Sequence, residues 1–83
     1  MKNNWFEDVF IPSQIERAKK NPVKYQDCVI LSDKQYDVCL RNMTVKHCYG
    51  DYGEFTRFVY ETSTHKFLLE EAGKYNFLYI YQK

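Results

Sequence analysis

Residues 74–83 read KYNFLYIYQK. In a strand, side chains alternate between faces. Tyr75, Phe77, Tyr79 and Tyr81 therefore share one face, and Asn76, Leu78, Ile80 and Gln82 share the other. Leu78 and Ile80 are the clear core residues of this stretch. Their face is expected to meet N-terminal helices, with Trp5, Phe10 and Ile15 opposite. The aromatic face then points away from any predicted helix. Phe77 needs cover, whereas a tyrosine tolerates water at its hydroxyl end. Tyr75, Tyr79 and Tyr81 are thus expected to be partly exposed and to contact a partner.

A final strand needs a neighbour, and sequential strands usually pair. Residues 65–75, HKFLLEEAGKY, fit either a strand with a turn through Glu71, Ala72, Gly73 and Lys74, or a short helix ended by Gly73. The need for a nearby partner favours the hairpin. Residues 54–63, EFTRFVYETS, are rich in strand formers. Residues 49–54, YGDYGE, hold two of the three glycines and read as a loop. Residues 36–48, YDVCLRNMTVKHC, alternate, with Tyr36, Val38 and Leu40 on one face and Cys39, Met43 and Val45 on the other. The sides switch near Arg41 and Asn42, which suggests a bulge or tight turn. Residues 32–35 read as a turn, and residues 24–32, KYQDCVILS, as a strand.

The N-terminal part has the helical period. Asn4 with Glu7, and Ser13 with Glu16, match capping boxes. Trp5 and Val9, and Phe6 and Phe10, are i,i+4 neighbours. Pro12 is expected to separate two short helices, and Asn21-Pro22 to end the second. The prediction is a single α+β domain over residues 1–83. One or two short N-terminal helices pack on an antiparallel sheet of four to five strands, with the last strand as an open edge.

An 83-residue chain buries about 60–65% of its unfolded surface, so each large side chain matters. Eight tyrosines, six phenylalanines and one tryptophan supply ample apolar area for a folded domain. The net charge of +1 lacks the basic excess of a non-specific nucleic-acid binder. No stretch approaches the ~20 apolar residues of a membrane span. Cys28, Cys39 and Cys48 are odd in number, and Glu7 and Asp8 break any apolar leader at the start of the chain. The expectation is a cytoplasmic protein with reduced thiols, made without contact with a membrane.

Little in the chain carries catalytic chemistry. The three cysteines, His47 and His65 form no pair at zinc-ligand spacing, so no metal is expected. No Gly-rich phosphate loop or nucleophile elbow occurs, so no cofactor is expected. One constellation could serve a metal-independent ribonuclease: Glu54 as base, Arg57 as phosphate clamp and His65 as acid. Glu54 and Arg57 are an odd number apart, however, and face opposite ways on a regular strand.

Binding is better supported. Eight tyrosines exceed what a small core easily takes, because each buried hydroxyl needs a partner. Tyr49, Asp51 and Tyr52 in the glycine loop join Tyr75, Tyr79 and Tyr81 as candidate protein-contact residues. An open edge at the C-terminal strand would also admit a second copy, giving a homodimer. The alternative is RNA, with Arg17, Lys19, Lys20 and Lys24 for phosphates and exposed rings for bases.

In style the chain resembles the small accessory proteins of tailed phages that blunt host defences, including anti-CRISPR-type inhibitors and antitoxin-like factors. The likeness lies in one compact domain rich in Lys, Asn, Tyr and Phe, without cofactor motif or targeting signal. It assigns no residue a role. It implies a stoichiometric inhibitor that binds a host protein in the host cytoplasm. Many such proteins are acidic mimics of DNA. The near-neutral charge here departs from that pattern and points to direct protein or RNA contact.

Overall fold

The computed structural model describes residues 4–20 and 27–83. A π-helical turn at Phe6–Phe10 runs straight into α1 (Ile11–Lys20). Then come β1 (Cys28–Leu31), α2 (Asp33–Asn42), β2 (Thr44–Gly50), β3 (Gly53–Glu61), β4 (His65–Ala72) and β5 (Tyr75–Gln82). All five strands form one antiparallel sheet in the order β1-β5-β4-β3-β2. The expected α+β architecture is present.

Pro12 does not break the first helix as expected. Proline has no N–H, and its ring crowds the carbonyl four residues back. The wide turn just before it relieves this crowding: Ile11 N–H donates to the Phe6 carbonyl, five residues away. Ser13 is accordingly not a cap, and its hydroxyl donates to the Phe10 carbonyl at 2.7 Å. Asn4 enters through its own carbonyl, which accepts from Asp8 N–H at 2.8 Å. The expected helix end at Asn21-Pro22 lies outside the described residues, as does Lys24.

The largest correction concerns residues 32–42. They form a helix, not a turn and a strand. Ser32 Oγ accepts from Gln35 N–H at 3.2 Å, and Ser32 N–H donates to Gln35 Oε1 at 2.9 Å. This reciprocal capping box starts α2. Asp37 and Arg41 pair at 2.9 Å one turn apart. The core-facing residues Tyr36, Cys39, Leu40 and Met43 follow the helical spacing i, i+3, i+4, i+7. The supposed change of sides at Arg41-Asn42 is the junction of helix and strand.

The turns follow glycine and threonine chemistry. Asp51 and Tyr52 connect β2 to β3, where Gly53 has φ 110°. Gly73, at φ 61°, and Lys74 connect β4 to β5, as the hairpin reading expected. Between β3 and β4, Thr62 Oγ1 accepts from Thr64 N–H at 3.3 Å and His65 N–H at 3.1 Å.

One face of the sheet builds the core. Val29, Leu31, Phe67, Leu69, Leu78 and Ile80 share that face by register and pack against Phe6, Phe10, Ile11, Ala18, Cys39 and Met43. Leu78 is wholly buried, as expected of its strand face. Phe10 is buried opposite and Ile15 half-buried, whereas Trp5 is substantially exposed.

The last strand is not an edge. β5 lies between β1 and β4, with ladders on both sides. β1 takes the outer side of residues 76–79, and Ile80 N–H donates to the Asp27 carbonyl at 2.9 Å, so β5 is not the open edge that the expected homodimer pairing would use over that length. The reading missed this because β1 returns to β5 from far away in sequence.

Candidate binding surface

The face opposite the core carries the aromatic row. Register puts Ile30 of β1, Leu68 and Glu70 of β4, and Phe55 and Arg57 of β3 on the same side as Tyr75, Phe77, Tyr79 and Tyr81. Tyr75, Phe77 and Tyr79 stand in file, with ring centres 6.1 Å apart at each step. None of the described helices packs on this face. Ile30 and Tyr75 are each 49% exposed, Tyr81 is 42% and Phe55 40%. Phe77 and Tyr79 are half-buried among their neighbours.

Both signs of charge border the rings. The Arg57 guanidinium sits 5.1 Å from the centre of the Phe55 ring. Lys46 lies directly across the ladder from Arg57, and Lys66 directly across from Glu61. Glu61 pairs with Lys83 at 2.9 Å. The hydrogen bond from Lys83, and then its charge, hold the Glu61 carboxyl below its ordinary range. Burial, and then the Glu70 carboxylate, push the Tyr79 hydroxyl and the Cys28 thiol above theirs.

A notch adjoins this face. The β3–β4 ladder covers only Phe58↔Leu69 to Glu61↔Lys66, whereas the β2–β3 ladder continues to Gly50↔Gly53 and the β4–β5 ladder to Ala72↔Tyr75. The two hairpins therefore part beyond Phe58. The gap is a cleft of about 410 Å³ lined by Tyr36, Phe55, Arg57, Leu68, Glu70 and Glu71. One wall is cationic and the other anionic.

The sequence-selected residues fall in three places. Tyr75, Tyr79 and Tyr81 lie on the open face. Tyr49, Asp51 and Tyr52 lie at the far end of the β2–β3 hairpin, with Tyr49 81% exposed and Tyr52 fully exposed. Tyr49 pairs with Glu54 on the helical side, so it does not extend the aromatic row. Arg17, Lys19 and Lys20 sit in the last turn of α1. Arg17 is also occupied: it donates to the Ile30 carbonyl at 2.9 Å, to Gln14 Oε1 at 2.8 Å and to Gln35 Oε1 at 3.3 Å. Lys19 faces Glu16 at 3.8 Å. Among the described residues, the basic helix end reaches the sheet only at the β1 edge, through an Arg17 guanidinium already engaged by three acceptors.

The ribonuclease constellation is not brought together either. Glu54 pairs with His47 at 3.4 Å. Arg57 faces the other side of the sheet, and His65 begins β4 beyond the opposite end of β3, roughly 25 Å of strand away. His65 Nδ1 instead meets Thr64 Oγ1 at 2.8 Å. Cys28 and Cys39 are buried and Cys48 is half-exposed, all as free thiols. Among the described residues, no three of His, Cys, Asp and Glu converge as metal ligands, and no helix is long and apolar enough to cross a membrane.

Ile30, Phe55, Leu68 and Arg57 are the surface residues that the sequence reading did not select for binding. A signal existed for one of them. The two-residue turn at Gly73-Lys74 sets Ala72 opposite Tyr75, which places Leu68 beside Tyr79 by counting. Comparison with protein-family models, with curated proteins and with solved structures finds no match.

Proposed function

We propose that this chain is a non-enzymatic binding protein that inhibits or modulates a protein partner by direct contact through the open face of its sheet. The phage-type resemblance extends the proposal to a host factor, a defence factor in particular. The observation that carries it is the file of Tyr75, Phe77 and Tyr79, with Ile30, Phe55 and Tyr81 exposed around it. Rigid aromatic rings with polar tips supply contact area at small entropic cost. Glu61 and Glu70 stand among the cations of this face, and that mixture suits a protein surface better than a phosphate backbone. Three free thiols fit a reducing cytoplasm as the place of action.

RNA is the competing occupant. Capture from host lysate is to be run with and without nuclease, using the wild type and the double variant Tyr75→Ser, Tyr81→Ser. A protein that is retained after nuclease and lost with the variant supports the proposal. Retention that nuclease abolishes supports RNA. Equal capture by wild type and variant excludes the open face as the contact.

A further inference from the structure

We infer that the outer edge of β2 is a strand-pairing site for a second copy of this chain. The inference is independent of the open-face reading, because edge pairing leaves both faces of the sheet free. The sheet has two edges, and they differ. β1 has only four residues, and the Arg17 guanidinium occupies its Ile30 carbonyl. Short length and a blocked carbonyl both discourage pairing. β2 runs regularly for seven residues, and among the described residues nothing covers its outer side. β2 is also poorly covered on its helical face: Val45 near its start is 49% exposed and Tyr49 near its end 81%. A two-stranded ribbon without cover is marginal in water.

Strand geometry selects the register. A two-residue turn is closed by a hydrogen-bonded pair, here Gly50↔Gly53, and bonded pairs alternate along the ladder. Gly50, Cys48, Lys46 and Thr44 thus bond inward to β3. Val45, His47 and Tyr49 direct their N–H and C=O groups outward. Two copies meeting about a twofold axis can exchange bonds only through those three residues. Centring the axis at Lys46 opposes two ammonium groups directly and shortens the overlap. Centring it at Cys48 also shortens the overlap. Centring it at His47 uses the whole of β2 and makes about six backbone hydrogen bonds. Val45 then faces the partner's Tyr49, a favourable β-branched–aromatic pair formed twice. The two His47 residues stand directly opposite each other, each beside its own Glu54 at 3.4 Å. Lys46 lies opposite the partner's Cys48. The result is one continuous sheet with its aromatic face doubled.

The test is sedimentation equilibrium of the wild type up to millimolar concentration, together with two variants. The wild type should approach twice the monomer mass. His47→Pro removes one outward N–H and leaves the β2–β3 ladder intact, so it should keep the wild-type circular dichroism and remain monomeric. Lys46→Cys sets a thiol opposite the partner's Cys48 at disulfide distance, so mild oxidation should yield several-fold more covalent dimer than wild type on a non-reducing gel. A wild type that stays monomeric overturns the inference. So does a folded His47→Pro that dimerises like wild type. Should His47→Pro fail to fold, the oxidation decides: no excess of covalent dimer from Lys46→Cys refutes the register and the site.

Discussion

Truncating Leu78 tests the division of the sheet into a core face and an open face. Leu78 is wholly buried on β5, between Val29 of β1 and Leu69 of β4. Leu78→Ala removes three carbons, worth about 2.4 kcal/mol at ~0.8 kcal/mol per buried methylene. Ladders hold the strand on both sides, so the site cannot collapse fully. A residual cavity of about 40 Å³, at ~24 cal/mol per Å³, adds about 1 kcal/mol. The expected loss is therefore about 3–4 kcal/mol. An 83-residue domain has roughly 4–12 kcal/mol to lose, so the change is large. The control is Tyr81→Ala, three residues on but on the other face and 42% exposed. Its truncation should cost about 1.5–2 kcal/mol, since roughly 60–80 Å² of its apolar area leaves water at ~25 cal/mol per Å² and no enclosed cavity is left behind. Urea unfolding monitored by tryptophan fluorescence and circular dichroism gives both values, provided the m-value is unchanged. Equal losses for the two variants, or a loss below about 1 kcal/mol for Leu78→Ala, would refute the assignment of faces.

Two further predictions concern α2. Ser32→Ala removes the hydroxyl that accepts from Gln35 N–H and should cost about 1 kcal/mol in urea unfolding, with Ser32→Asp near wild type; an unchanged midpoint for Ser32→Ala would deny the capping box its role. Burial pushes the Cys39 thiol up to about 12. The unfolded thiol ionises near its ordinary value while the folded one stays protonated, so the native state binds more protons and stability falls as pH rises above about 9. The fall is at most about 1.4 kcal/mol per pH unit from this group, and urea midpoints between pH 8 and 10 should show a shallower slope in Cys39→Ala. Equal slopes in the two proteins would contradict the buried thiol.

Much of this architecture was readable from local pattern. Leu78 and Ile80 alternate with a row of rings, so their burial followed from the two-residue period alone. Gly73 marked the β4–β5 turn. The second helix was missed because residues 36–43 satisfy both periods: Tyr36, Val38 and Leu40 alternate, while Tyr36, Cys39, Leu40 and Met43 follow a helix. The deciding signal is Ser32 with Gln35, an S-x-x-Q box whose residue types equally suit a turn. The basic residues were legible as charges but not as partners. Nothing local announces that Arg17 is spent on the Ile30 carbonyl, thirteen residues away.

The row Tyr75, Phe77, Tyr79 and Tyr81 shows where the division falls. Alternation in residues 74–83 determined that the rings share a face and that Leu78 and Ile80 oppose them, because side-chain direction in a strand is a property of the backbone itself. Only the tertiary structure decided that β5 is an interior strand and that β2 is an edge strand. Strand order depends on contacts between segments distant in sequence, here β1 returning to β5 across the chain, and no local period encodes which edge another segment will occupy.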